Sequence, residues 1–374
     1  MKKIYLDNAS TTAIRPEVIQ EMTTVLMEDY GNPSSTHSFG RNAKNKLELS
    51  RKSIAKQLNV SAQEIIFTSG GTEANNWILR SAVQDLNVKR IISSKIEHHA
   101  VLETIKALQK EFGIQVDYVN LLPNGAIDLT DLSVLLSQEI KTLVSLMHVN
   151  NEIGTVLDLE RVGIICKQYK ALFHSDTVQS IGKTTLNLQA IAVDFVLASA
   201  HKFHGPKGIG FAFIRKNSGL QPLFFGGEQE KGLRPGTEPV HQIVGMAKAL
   251  DISYANLEKE SEYISTLKTY LITELQIAFP EVVFNGSTDG FYTIINVLLP
   301  FLEEKTAMIL FHLDMRGIAV SRGSACQSGS IRPSHVLAEL LSDELVRKPS
   351  LRISMSHYNT KEDIDGLIEA LKTV

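Results

Sequence analysis

The stretch Asp194-Phe195-Val196-Leu197-Ala198-Ser199-Ala200-His201-Lys202-Phe203-His204-Gly205-Pro206-Lys207-Gly208 decides the fold. Its first five residues read as a short, buried strand, apolar after Asp194, and the small, polar and glycine residues that follow read as the turn beyond its carboxyl end. Ligands of open α/β sheets bind outside such strand ends. A lysine held there against an apolar sheet edge has a depressed pKa and can form a Schiff base with an aldehyde. A lone lysine in a turn is ordinarily just solvated. The flanking Ser199 and His201, with Gly205-Pro206-Lys207-Gly208, favour the chemical reading of Lys202.

Outward from this stretch, short apolar strands are predicted at 65–68, 90–93, 114–119, 142–147, 171–174 and 210–214. Helical stretches at 16–30, 39–58 and 158–169, and others starting at Glu73 and about His99, largely separate them. The alternation predicts an α/β fold with a mostly parallel sheet covered by helices. Near residue 250 the pattern changes. A long helix over 242–279 leads to strands at 282–284 and 292–298, a helix at 304–314, a strand at 318–321 and a last helix at 360–371. The expected organisation is a large domain over 16–255 and a smaller α+β domain made of 1–15 and 256–374.

A chain of 374 residues with 43% hydrophobic content can bury a large core. Its net charge of −3 carries no basic excess for nucleic acid. No apolar stretch is long enough for a bilayer, and Met1-Lys2-Lys3-Ile4 opens no signal peptide, so the cytoplasm is expected. Two cysteines in so long a chain are no disulfide framework. Cys166, in Val162-Gly163-Ile164-Ile165-Cys166, reads as core. Cys326 lies among Gly323, Ser324, Ala325, Ser328 and Gly329, a small-residue stretch that predicts a mobile, exposed loop.

Further motifs carry chemistry. In Thr68-Ser69-Gly70-Gly71-Thr72-Glu73 a strand runs into a helix through a Gly-Gly turn, which exposes backbone N–H groups suited to phosphate. In His174-Ser175-Asp176-Thr177-Val178-Gln179 an aspartate ends a strand one crossover before Lys202, where it can pair with a protonated pyridine nitrogen or simply cap the next helix. Glu97-His98-His99 puts two histidines at another strand-to-helix junction. Consecutive side chains diverge and no ligand spacing accompanies them, so metal is not expected, and an imidazole against a cofactor ring is.

Together these motifs resemble the class V aminotransferase group of pyridoxal-phosphate enzymes, and within it the cysteine desulfurases of the NifS/IscS type. The resemblance spans essentially the whole chain. It includes Tyr5-Leu6-Asp7-Asn8-Ala9-Ser10-Thr11-Thr12, Gly31-Asn32-Pro33-Ser34-Ser35-Thr36-His37 and His148-Val149-Asn150-Asn151-Glu152-Ile153-Gly154. It continues with Gly232-Leu233-Arg234-Pro235-Gly236-Thr237 and Ser321-Arg322-Gly323-Ser324-Ala325-Cys326. It implies a pyridoxal-phosphate transferase fold, with pyridoxal 5'-phosphate held as a Schiff base on Lys202. His99 would stack on the ring, Asp176 would pair with its nitrogen and Gln179 would bond its hydroxyl. Gly71, Thr72, Ser199 and His201 would hold the phosphate. Thr237 would reach the phosphate of the neighbouring subunit in a homodimer. Asn151 and Arg352 would clamp the carboxylate of L-cysteine. Cys326 would take up sulfur as a persulfide, leaving L-alanine, and pass it to an iron–sulfur scaffold or a tRNA-thiolation protein.

The chain departs from that pattern at Ser356-His357 and at Ala338-Glu339-Leu340. The cofactor residues alone also fit an aminotransferase, and Cys326 separates the two. A selenocysteine lyase or sulfinate desulfinase is the nearest alternative, and a non-catalytic sulfur-relay subunit a more distant one.

Overall fold

The computed structural model describes residues 3–323 and 333–374. Cys326, with its neighbours Ser324, Ala325, Ser328 and Gly329, lies outside the described residues.

In chain order the first part of the fold runs β1 (Ile4–Tyr5), α1 (Pro16–Glu28), α2 (Ser38–Gln57), β2 (Ile65–Thr68), α3 (Gly71–Gln84), β3 (Arg90–Ser93) and α4 (His99–Phe112). Next come β4 (Gln115–Tyr118), α5 (Leu129–Leu136), β5 (Thr142–Ser145), α6 (Leu159–Gln168), β6 (Leu172–Asp176), β7 (Phe195–Ser199), β8 (Gly210–Ile214) and α7 (Val240–Ala255). Seven strands form one sheet in the order β2-β8-β7-β6-β5-β3-β4. Only β8 runs against the others, pairing antiparallel with β2 and β7. Every residue of β2, β3, β5, β7 and β8 is buried, as strands covered on both faces require. One core gathers Phe67, Val144, Phe173, Val196 and Phe211 beneath α2, α6 and α7, and another packs Trp77, Ile78, Val101 and Ile105 of α3 and α4 on the opposite side. Cys166 is 1% exposed in the first of these, as the sequence leads one to expect.

The second part adds α8 (Leu257–Ala278), β9 (Val283–Asn285), β10 (Ile294–Leu298), α9 (Ile309–Asp314), β11 (Ile318–Ala319), α10 (His335–Ala338), β12 (Ser350–Ser354) and α11 (Lys361–Leu371). Strands β12-β10-β9 form an antiparallel sheet, and β1 pairs parallel with β11. Ile264, Leu267, Leu271 and Leu275 of α8 meet Ile295, Val297, Leu351 and Ile353 in a core of their own, which also takes in Ile4 and Leu6.

The helix expected over 242–279 is two helices. Asn256 breaks it at φ −108° and ψ 6°, its side chain donating to the Ile252 carbonyl at 2.9 Å. An asparagine that bonds local backbone in this way competes with helix continuation. The α5 helix and the β12 strand are further elements that the periodicity reading did not mark.

Candidate active site

Strand polarity brings the site together. The carboxyl ends of β2, β6 and β7, and the segments that follow β3 and β5, open onto one cavity of 410 Å³, within the usual ~300–1,000 Å³ of a small-ligand site.

At one end lies the turn between β2 and α3. Gly70 has φ 149°, a conformation that L side chains rarely adopt. A Cβ on Gly71 would lie 2.8 Å from Val178 Cγ2. The first intrahelical bond of α3 runs from Ala74 N–H to the Gly70 carbonyl. The N–H groups of Gly71, Thr72 and Glu73 therefore precede the ladder and face an anion from outside. Glu73 steadies the turn by accepting from Ser69 N–H at 2.9 Å while it pairs with Arg234. Burial raises its pKa, but Arg234 and Ser69 together bring it below the ordinary value. Ser199 and His201 border the same end, beside Lys207. The His201 imidazole is pushed down to about 4 by burial, with Lys202, Lys207 and Lys183 adding to the effect.

Asp176 ends β6. Its carboxylate accepts from Asn75 Nδ2 at 2.8 Å and from Val178 N–H at 3.0 Å. Gln179 Nε2 donates to the Ala9 carbonyl at 2.8 Å. Lys202 sits in the short 3₁₀ turn after β7, where its Nζ donates to the carbonyls of Ala9 and Ser10 at 2.7 and 2.8 Å. The turn itself is pinned to the N-terminal segment, because Thr12 N–H donates to the His201 carbonyl and His204 N–H donates to Thr12 Oγ1.

Arg352 arrives from the small sheet. Leu351 and Ile353 point into its core, so the alternating residue Arg352, opposite Asn296, points the other way. Its guanidinium is 1% exposed and lies on the cavity wall with Asn151, whose carbonyl accepts from Nη1 at 2.9 Å.

Nine of the expected residues thus line one cavity: Gly71, Thr72, Asn151, Asp176, Gln179, Ser199, His201, Lys202 and Arg352. Histidine placement corrects the expectation. The wall residue is His98, not His99. His98 is the N-cap of α4, with Nδ1 accepting from Ala100 N–H at 3.1 Å. His99 opens the helix proper and turns aside to His335, with ring centroids 4.5 Å apart. Burial holds the His98 pKa below its ordinary value, helped by Lys202, His99 and His335 and opposed by Asp176. Thr237 is exposed and is not on this wall. Asn75, Lys207 and Ser10 are wall residues to which the sequence reading gave no role. Asn75 could have been found, since it lies four residues after Gly71 and so on the same helix face.

The cavity fits a phosphorylated pyridine aldehyde. It offers an anion cradle, a carboxylate held by two donors, and an amine at the end of a strand. Among the described residues no cluster has metal-ligating character.

The chain is similar to known proteins along its whole length. A relative from Dictyoglomus turgidum named cysteine desulfurase IscS is 40% identical over 376 residues, covering all of this chain and 94% of that protein. A solved NifS-like protein is 36% identical with a TM-score of 0.91, and covers all of this chain and 99% of its own. A structure described as SspA in complex with cysteine is 31% identical with a TM-score of 0.81, covering 96% of this chain and all of its own. The family described as aminotransferase class-V matches residues 4–367, and with that span the chain belongs to the class-V aminotransferase family.

Proposed function

We propose that the chain is a pyridoxal-phosphate-dependent cysteine desulfurase, which takes sulfur from L-cysteine and leaves L-alanine. The observation that carries this reading is the meeting of Lys202, Asp176, the Gly71-Thr72 cradle and Arg352 on one cavity. The cysteine named with the SspA structure supports the choice of substrate.

Pyridoxal phosphate, when bound, supplies an electron sink for negative charge at the substrate α-carbon. Lys202 would be its covalent anchor, and its Nζ would serve as the base for the substrate α-proton. Asp176, steadied by Asn75 and Val178, would pair with the ring nitrogen, and Gln179 would bond the ring hydroxyl. Gly71, Thr72, Ser199 and His201 would hold the phosphate. His98, on the cavity wall with its pKa held below the ordinary value by burial, would lie against the ring and exchange a proton with the substrate thiol. Arg352 and Asn151 hold the substrate carboxylate. Cys326 attacks the substrate sulfur as a thiolate. The S–S bond forms while the C–S bond breaks, its electrons going to carbon, which is then protonated. The Cys326 persulfide is passed to an acceptor, an iron–sulfur scaffold or a tRNA-thiolation protein. Thr237, exposed on its own chain, serves the phosphate site of a second copy in a homodimer. The residues 16–255 and the pair 1–15 and 256–374 act as two units with the site at their seam.

The test is release of sulfide and L-alanine from L-cysteine in the presence of a thiol reductant, with L-selenocysteine run alongside. Stoichiometric alanine and sulfide support the reading. No alanine, or a clear preference for L-selenocysteine, opposes it.

A further inference from the structure

The guanidinium of Arg352 already has a carboxylate. Nη2 donates to Asp7 Oδ1 at 2.8 Å and to Ser10 Oγ at 2.5 Å, and Ser10 Oγ in turn donates to Asp7 Oδ1 at 2.9 Å. Both Nη2 hydrogens are therefore committed. Nη1 gives one of its two to Asn151, and Nε is buried without a partner among the described residues. Ser10 is on the cavity wall, and Asp7 is not. A carboxylate entering from the cavity can grip Nη1 and Nη2 together only by replacing Ser10 Oγ, while Asp7 remains in place.

We infer that Asp7 is a positioning residue that fixes Arg352 and sets how tightly the clamp holds a carboxylate. The inference rests on the reading of Arg352 as the carboxylate clamp. Asp7 acts in two ways. It orients a side chain that is 1% exposed, and it places a standing negative charge beside the incoming one. A bare buried guanidinium would bind carboxylates too firmly for a product that must leave, because two opposite charges attract strongly where water is scarce. With the counter-charge built in, the clamp recognises shape and hydrogen bonds more than net charge. Asp7 is itself tied to the strand that carries Arg352, through a bridge to Ser354.

The decisive experiment uses the cofactor-loaded chain and two probes, L-alanine and L-alaninamide, the second lacking the carboxylate. Asp7→Asn keeps an oxygen for Nη2 and removes the charge. It should bind L-alanine roughly three- to thirtyfold more tightly than the parent, the size expected for one charge at a partly screened site. L-alaninamide affinity should stay put. KM for L-cysteine should fall without a rise in kcat, and Asp7→Glu should restore parent-like values. Equal or weaker L-alanine binding by Asp7→Asn, or equal tightening for both probes, overturns the inference. If the parent binds L-alaninamide as well as L-alanine, the clamp reading and this inference fail together. If the parent discriminates and Asp7→Asn matches it, only this inference fails. Ser10→Ala is the second variant should Asp7→Asn not fold. With the hydroxyl gone from Nη2 it should tighten L-alanine binding about two- to tenfold, and unchanged or weaker binding overturns the proposal.

Discussion

Lys202 Nζ donates to the Ala9 carbonyl oxygen at 2.7 Å. The amine that the large sheet delivers is thus met by backbone from the segment next to β1, and the site exists only when the two are packed together. Replacing Lys202 by Ala removes the only side chain assigned to anchor the cofactor. The variant should lack the absorption band expected at roughly 400–430 nm for lysine-anchored pyridoxal phosphate and should not turn over L-cysteine. An absorption spectrum and an alanine assay check both, and a variant working at the parent rate would remove Lys202 from the mechanism.

Asn75 is 1% exposed and gives Asp176 one of the two hydrogen bonds it accepts among the described residues. Asn75→Ala should weaken cofactor binding by about tenfold or more, in line with ~1.5–3 kcal/mol for a hydrogen bond to a charged group. Titration of the cofactor-free protein with pyridoxal phosphate measures this. Parent-like binding would mean that Val178 N–H alone suffices to hold the carboxylate.

The two neighbouring histidines separate in space, and their variants should separate in function. His98→Gln should lower kcat by about a hundredfold or more, the usual ~10²–10⁴ for loss of an acid–base group. His99→Gln should cost much less, because its ring is against His335. Steady-state kinetics of the two variants decide the matter, and the reverse ranking would return the role to His99.

Stability should depend steeply on acid. Burial pushes the folded-state pKa of His148, His174, His201 and His357 down to about 4 and that of His204 down to about 3, against about 6.5 in an unfolded chain. Between these values the unfolded chain binds the proton and the folded chain does not. The stability is therefore fully present above about pH 6.5 and is lost as pH falls toward 4. Urea midpoints at pH 7.5 and 5.0 should differ clearly, with protons taken up on unfolding near pH 5.5. Equal midpoints, or no uptake, would contradict buried neutral imidazoles.

What could be read in advance follows the range of the interactions. The Gly-Gly turn at Gly70-Gly71, the strand before Lys202 and Asp176 at its strand end are local signals, and the structure places all of them on one cavity. The break at Asn256 was missed because it depends on one side chain's bond to Ile252 within an otherwise helical run. The choice between His98 and His99 turns on where α4 starts, and a helix boundary one residue away exchanges which ring faces the site. The Asp7–Arg352 pair joins residues at opposite ends of the chain, through strand pairing that no local pattern encodes.

The central claim is that Cys326 carries the sulfur. Cys166 is no competitor: burial, with Asp194 nearby, pushes its thiol pKa far up, and it is 1% exposed. Cys326→Ser should keep the cofactor and still bind L-cysteine, but release no alanine, since a hydroxyl near pH 7 is a poor nucleophile toward sulfur. The most direct measurement is mass spectrometry of the parent chain after treatment with L-cysteine. The account predicts one added sulfur atom on the peptide that contains Cys326; a persulfide on the Cys166 peptide instead, or no added sulfur while alanine is still produced, would contradict it.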